Sequence, residues 1–209
     1  MVQHNRYLDD TYLTEIETMV IASGPDWAAV RDNVFHPQGG GQPADRGWLA
    51  EQEVVPVRQG NLVVVPAVGL AEGDRVHAHV DSELRRLHAA LHTAGHLVEA
   101  AGRSRGLEMT GSIHFPGQAR IEFTPPEVLP EAEDLLEFTA KAIADDLPVT
   151  ASYETEGLRV VRLGALHAAP CGGTHVGRLS DLAELAITAI KVKKGRLRIT
   201  YTASHSPRR

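Results

Sequence analysis

Hydrophobic positions divide the chain into a first part with short strand-like runs and a second part with longer helical periods. Up to about residue 80, brief runs rich in valine alternate with turn signals such as residues 23–26, 58–61 and 72–74. Short strands with frequent turns are typical of small barrels and sandwiches. The pattern therefore predicts a small β-barrel domain over residues 1–80.

A strong helical period begins near Asp81, where apolar residues recur at helical spacing from residue 84 onward. Asp81 or Ser82 can cap the start of this helix. Gly102 or Gly106 would end it. The change of pattern at this point is the reason for placing a domain boundary near residue 80.

The rest of the chain mixes strands with one more helix. We predict strands at 112–115, 119–123 and 148–154, a helix at 126–146, and a hairpin of 185–194 with 196–203 that turns at Lys194 and Gly195. Helices grouped with an antiparallel sheet indicate an α+β fold. Residues 81–209 are thus predicted to form a two-layer α/β domain with an antiparallel sheet.

Composition indicates an ordinary soluble protein, with 43% hydrophobic and 23% charged residues among 209. No apolar run approaches the roughly 18 residues of a membrane span, and the first residues lack the apolar core of a signal peptide. We therefore expect a cytoplasmic protein without membrane contact. Its oligomeric state is left open.

Charge is distributed unevenly along the chain, whose formal net charge is -6. From Leu185 onward there is no Asp or Glu, whereas the segment 131–156 is acidic. The basic residues after Leu185 are Lys191, Lys193, Lys194, Arg196, Arg198, Arg208 and Arg209. Such a face can bind a polyanion, or it can be a solvated strand edge protected by lysines.

Two separated motifs predict a metal site. His92 and His96 lie four residues apart on the predicted helix, so both imidazoles share one face and can bind one ion. His88 forms the same spacing with His92, and spacing alone does not choose between the pairs. Cys171, the only cysteine, precedes His175 by four residues, with glycines that allow a tight turn. Mixed thiolate and imidazole ligands favour zinc.

The residue that follows the first histidine excludes one class of zinc enzyme. A helical metalloprotease motif carries a glutamate beside the first histidine as the general base. Thr93 stands at that position.

The motifs HTAGHL and CGGTHVG resemble those of the editing domain shared by alanyl-tRNA synthetases and freestanding AlaX-type proteins. The glycine-rich segment FHPQGGGQPADRGWL, residues 35–49, resembles a motif of the longer AlaX forms, which carry an additional N-terminal β-barrel. The resemblance implies zinc-dependent hydrolysis of the ester that joins serine, with glycine as a second candidate, to the acceptor end of tRNA(Ala). It implies Zn²⁺ bound by His92, His96, Cys171 and His175.

Two further residues are candidates for the catalytic site. Gln42, in the glycine-rich segment, is predicted to face the substrate, and Thr110 is predicted to bind the serine hydroxyl. A site built to bind a hydroxyl can reject the substrate that lacks it by about 10⁴-fold. Gly95 departs from the bulkier residue that relatives often carry before the second histidine.

Binding of tRNA is expected at the basic C-terminal hairpin, with Arg85, Arg86, Arg103 and Arg105 as further candidates or as solvated helix residues. Three other functions remain open at this point. They are a noncatalytic tRNA-binding module with a structural zinc, editing of Ser-tRNA(Thr), and an unrelated zinc hydrolase of small esters. The glycine-rich segment argues against the second of these.

Overall fold

The computed structural model describes residues 2–154 and 157–207. The chain divides into two compact units. The first runs through Gly39 and from Pro43 to Arg86, and the second comprises Gly40–Gln42 and the chain from Leu87 onward. The division into domains at 1–80 and 81–209 stays a prediction.

The first unit is built around an antiparallel sheet. The strands of this unit are β1 His4–Asn5, β2 Glu15–Ser23, β3 Trp27–Val30, β4 Asp32–Asn33, β5 Gly47–Leu49, β6 Gln52–Val54, β7 Val57–Gln59, β8 Leu62–Pro66 and β9 Arg75–Val80. Seven of them form a sheet in the order β6-β5-β9-β2-β3-β8-β7, and β1 pairs with β4. In β9 the side chains at positions 76, 78 and 80 are buried, as the two-residue period of a strand with one core face requires.

Arg85 lies inside the first unit and not on its surface. Its side chain is fully buried, forms an ion pair with Asp45, and donates to the carbonyl oxygens of Thr11 and Val34. The expectation that Arg85 contacts tRNA or lies solvated on the helix surface is therefore wrong. A buried guanidinium needs such partners because an unpaired charge in the core is costly.

The second unit combines both α-helices of the described residues with two antiparallel sheets. Its elements are α1 Ser82–Arg103, which starts in the first unit, α2 Ala132–Ala144, β10 Met109–Ile113, β11 Arg120–Phe123, β12 Val149–Tyr153, β13 Arg159–Leu163, β14 His167–Pro170, β15 Leu182–Lys193 and β16 Arg196–His205. One sheet has the order β10-β11-β16-β15 and the other β12-β13-β14. The predicted α+β class is confirmed, whereas the N-terminal barrel stays a prediction.

Helix α1 begins and ends as the sequence predicts. The Leu84 amide donates to Asp81 Oδ1 at 3.0 Å, so Asp81 is the cap. Gly106, with φ of +76°, follows the last turn in the left-handed conformation that ends many helices. Small residues of α1, including Ala90, Ala94 and Ala101, are buried in the core of this unit.

Several element boundaries differ from the sequence prediction. Helix α2 begins at Ala132 and not at residue 126, because Pro126 and Pro130 precede it and proline disfavours helical conformation in the residue before it. The strand expected at 112–115 is Met109–Ile113. Strands β3, β13 and β14 were not predicted. The hairpin turn is confirmed, since Lys194 and Gly195 both have positive φ, as a type I′ turn requires.

Among the described residues, neither helix has the length and apolar composition needed to cross a lipid bilayer.

Candidate metal centre

Four side chains from the two sequence motifs meet in the second unit. The ligand atoms of His92, His96, Cys171 and His175 all lie within 4.8 Å of one another. The three histidines are buried and Cys171 is partly exposed. Helix α1 contributes the first pair, and the loop after β14 contributes the second. The four residues could hold a metal ion.

Gln42 fixes the orientation of His92. The Thr174 amide donates to Gln42 Oε1 at 3.0 Å, and Gln42 Nε2 donates to Thr174 Oγ1 at 2.9 Å, so the orientation of the Gln42 amide is determined. The same Oε1 lies 2.8 Å from His92 Nδ1, which therefore donates to it. His92 Nε2 carries no proton in the neutral ring and lies 3.4 Å from Cys171 Sγ.

Thr93 fixes the orientation of the His175 ring. Its hydroxyl donates to the Ala89 carbonyl oxygen at 2.8 Å, so it can only accept from its other neighbours. It accepts from His175 Nδ1 at 3.2 Å and from the Val176 amide at 3.1 Å. His175 Nε2 then lies 3.2 Å from Cys171 Sγ without a proton in the neutral ring.

His96 has the third inward-facing nitrogen. Its Nδ1 lies 3.2 Å from His167 Nε2. Its Nε2 is buried and has no hydrogen-bond partner among the described residues. A buried polar atom without a partner is costly, and such an atom is expected where its partner is a bound ion.

The donor set fits a divalent ion. Three imidazoles are held at Nδ1, and two of their Nε2 atoms face the same thiol. Burial lowers the pKa of His96, but the neighbouring Cys171 sulfur and the Glu99 carboxylate raise it more, to about 9 in the metal-free protein. A proton therefore occupies His96 when no ion does. Nitrogen and sulfur donors in this number are typical of zinc sites.

The two glycines of the CGGTH motif have different roles. A Cβ at Gly173 would lie 2.3 Å from ring atoms of His92 and 2.7 Å from Gln42 Oε1, whereas a Cβ at Gly172 would meet nothing within 4 Å. Neither glycine has positive φ. The glycines were expected to allow a tight turn, but neither adopts the left-handed conformation, and Gly173 is needed for space beside the His92 ring.

His114 is a histidine of the site that sequence reasoning missed. Its ring stacks on His92 with centroids 4.2 Å apart. The Tyr201 hydroxyl donates to the Leu91 carbonyl oxygen at 3.0 Å and so accepts from His114 Nδ1 at 2.7 Å. Burial, and then the nearby His96 charge, lower the pKa of His114 to about 3. His114 is therefore neutral at physiological pH.

The structure places the other predicted residues as follows. Gln42 is fully buried and contacts His92 and Thr174. Thr110 lies at the irregularity in the pairing of β10 with β11, and its side chain is exposed. His88 is buried but is not one of the four residues that meet. The substrate contacts of Gln42 and Thr110 stay predictions.

Exposed cations lie on the C-terminal hairpin. Lys191, Lys193, Lys194 and Arg196 are exposed, while Arg208 and Arg209, like Glu156 of the acidic segment, lie outside the described residues. Glu122 forms ion pairs with Arg120, Arg196 and Arg198. Hydrogen bonding from Arg196, and then from Arg120, lowers the pKa of Glu122 although burial opposes it. One carboxylate shared by three guanidinium groups leaves this sheet surface net positive.

The chain is similar in sequence to several known proteins. No family model matches the chain. Two relatives are alanyl-tRNA editing proteins AlaX-M, from Pyrococcus horikoshii at 27% identity and from Methanosarcina acetivorans at 28% identity. The chain is similar to alanyl-tRNA editing proteins. The two alignments cover 86% and 94% of this chain and 87% and 97% of the relatives.

The chain is also similar to part of a much larger enzyme. It is 34% identical over 200 residues to an alanine–tRNA ligase of Frankia alni, an alignment that covers 78% of this chain and 22% of the ligase. With the ligase of Metallosphaera sedula the coverage of the relative is 26%. The chain thus spans about a quarter of the length of these ligases.

Proposed function

We propose that this chain is an AlaX-type alanyl-tRNA editing hydrolase that removes serine from mischarged tRNA(Ala), with glycine as a second substrate. The observation that carries the proposal is the set of three imidazoles and one thiol, each imidazole held at Nδ1 by a separate partner. The similarity to AlaX-M proteins over most of their length supports action on tRNA that has left the synthetase. We propose that this reaction takes place in the cytoplasm.

The reaction is ester hydrolysis. Water adds to the aminoacyl carbonyl carbon, the bond from that carbon to the ribose oxygen breaks, and the ribose oxygen takes up a proton. Zinc at this site would act as a Lewis acid in that chemistry. The chain itself would direct the three ring nitrogens toward the ion, through the contacts of Gln42, Thr93 and His167 with the Nδ1 atoms.

Selectivity for serine over alanine requires a group that binds the extra hydroxyl. Both polar atoms of Gln42 are already engaged with His92 and Thr174, so we assign Gln42 to positioning of His92. Thr110, whose side chain is exposed, keeps its proposed role as the hydroxyl partner. The tRNA backbone is proposed to bind the cations of the β15–β16 hairpin, whose affinity would fall with salt.

A deacylation assay tests the function. Purified protein is given Ser-tRNA(Ala), Gly-tRNA(Ala) and Ala-tRNA(Ala), with and without a zinc chelator, and then with zinc restored. Release of serine that stops with chelator and returns with zinc is the expected result. Equal release from all three esters would contradict the proposed selectivity.

One observation favours a second function, a noncatalytic tRNA-binding module with a structural zinc. Four protein ligands fill a tetrahedral shell, as in structural zinc sites. The same assay distinguishes the two functions. Binding of tRNA without release of any amino acid, together with unfolding by chelator, would identify the structural role.

A further inference from the structure

A second polar cluster lies on the Nδ1 side of the His96 ring. His96 Nδ1 is 3.2 Å from His167 Nε2 and 3.6 Å from Glu99 Oε2. His167 Nε2 is 3.5 Å from the same carboxylate oxygen. On the other side of the carboxylate, Arg103 Nε donates to Glu99 Oε1 at 2.8 Å. His167, Glu99 and Arg103 are not among the four residues that could hold the ion.

The cluster is buried at its centre and open at one end. The Glu99 side chain is 3% exposed and the His167 side chain 5%, whereas the Arg103 side chain is 55% exposed. A carboxylate is buried at high cost unless it is paired. His96 and Arg103 provide that pairing. A charged group is thus placed directly beside a candidate metal ligand.

We propose that Glu99 and His167 are positioning residues for His96, an inference that rests on the proposed metal centre. His167 accepts the His96 Nδ1 proton, which leaves His96 Nε2 free to bind the ion. The Glu99 carboxylate, close to both rings, stabilises the proton at Nδ1 and the positive charge that the ion brings. Carboxylates and carbonyls that hold the second nitrogen of a ligating histidine commonly fix its orientation and raise its basicity.

A second ion in this cluster is the competing interpretation. Ligand atoms of His96, Glu99 and His167 also lie within 4.8 Å of one another. The cluster does not favour a cation, however, because Arg103 already neutralises Glu99 at 2.8 Å. His96 would also have to present Nδ1 to one ion while Nε2 faces the other. The proton on Nδ1 and the guanidinium together satisfy the carboxylate.

Zinc affinity, measured by competition with a chelating dye, tests the proposal in the full chain. Glu99→Gln keeps the shape of the side chain and removes its charge, and we expect zinc affinity to fall about 10- to 100-fold. Glu83→Gln is the matched control, because it makes the same change at an exposed glutamate of the same helix. Glu83 lies roughly four helical turns from Glu99, and the zinc affinity of this variant should stay within about threefold of the wild type.

Cobalt absorption gives a readout that simple loss of stability would not move. In Co²⁺-loaded protein, the Glu99→Gln variant should show shifted visible bands because the His96 donor changes, and Glu83→Gln should show the wild-type spectrum. If Glu99→Gln fails to fold, as judged by circular dichroism of the metal-free protein, His167→Gln carries the same expectation.

The possible results separate this proposal from the one on which it rests. If wild-type protein binds no zinc, the metal centre itself is wrong, and this inference falls with it. If the wild type binds one zinc and Glu99→Gln has the same affinity and cobalt spectrum, only the role of Glu99 is overturned. Two zinc ions per wild-type chain, with one lost in Glu99→Gln, would instead identify a second metal site.

Discussion

The imidazole ring of His114 occupies the space that a side chain at Gly95 would need. A Cβ at position 95 would lie 2.4 Å from two ring atoms of His114 and 2.6 Å from the Tyr201 hydroxyl. The glycine therefore allows His114 to pack against α1 and stack on His92. The small residue between the two candidate ligand histidines is thus explained by the ring of His114, the residue that follows β10.

We expect Gly95→Ala to destabilise the protein by about 1–3 kcal/mol, because overpacking forces His114 or the helix to move. Denaturant unfolding of the metal-free protein measures this. Combining it with His114→Ala removes the clash with the imidazole and leaves the one with the Tyr201 hydroxyl, so the double variant should be less destabilised than the sum of the two single variants. Simple additivity of the two changes would show that the predicted clash does not exist.

Gly173→Ala and Gly172→Ala form a matched pair one residue apart. A methyl group at 173 must displace the His92 ring, so we expect zinc affinity to fall by about tenfold or more, as for loss of a ligand's orientation. At 172 the methyl group meets nothing within 4 Å, and affinity should be unchanged. Dye competition measures both. Equal losses in the two variants would indicate that loop flexibility, and not space beside His92, is what the glycines provide.

Gln42 can be tested for its two alternative roles. If it acts through His92, Gln42→Ala should lower zinc affinity about 10- to 100-fold, and the ratio of serine to alanine release should not change at saturating zinc. Gln42→Glu keeps an acceptor for His92 and should retain most of the affinity. A changed ratio with unchanged zinc affinity would return Gln42 to the substrate-facing role predicted from the sequence.

Thr93→Val removes the hydroxyl that accepts from His175 and from the Val176 amide. Two buried donors lose their partner, so the free energy of unfolding should fall by about 1–3 kcal/mol, and zinc affinity should fall as well. Thr93→Ser restores the hydroxyl and serves as the control. A stable Thr93→Val variant with normal zinc affinity would show that His175 is oriented by other contacts.

Zinc binding should weaken as pH falls. With a pKa of about 9, His96 is protonated at neutral pH in the metal-free protein, so zinc must displace that proton. Apparent affinity should fall at least roughly tenfold for each pH unit below about 9. Calorimetry in buffers of different ionisation enthalpy would count the released protons. An affinity that stays constant from pH 7 to 8.5 would contradict the raised pKa.

The same raised pKa has the opposite effect on the metal-free fold. A histidine whose pKa rises on folding contributes stability that is fully present below the unfolded value of about 6.5. That contribution is lost as pH rises through about 9. Metal-free protein should therefore lose stability as pH rises from about 6.5 to about 9, whereas zinc affinity should increase over the same range.

The sequence predicted the four residues that meet, because their motifs are dense in rare ligand types. It could not predict how each ring is held. Thr93 was considered only as a missing glutamate, yet its hydroxyl fixes His175 across 82 positions of the chain. His167 and Glu99 belong to no motif, and His167 meets His96 and Glu99 only in the folded chain. Such partners depend on tertiary structure and not on local pattern.

The fold was predictable to a similar depth. Helix α1 and the β15–β16 hairpin follow from periodicity, a capping aspartate and a turn that needs positive φ. Strand β13 was missed because arginines flank its two valines, and β14 was missed because its four residues include no β-branched residue and no Tyr, Phe or Trp. The prediction for α2 began too early because the amphipathic pattern extends across two prolines, where the chain is not helical.

The residues that orient the three histidine rings are spread along the chain, and their order determines when the complete metal site can form. Gln42 is translated long before His175, and His167 only shortly before it. Between translation of His96 and translation of His167, a nascent polypeptide thus contains Gln42, the partner of His92, but lacks His167, the partner of His96 Nδ1. Loading with metal must follow translation of the CGGTH loop, so metal occupancy would report that the polypeptide has folded through that loop.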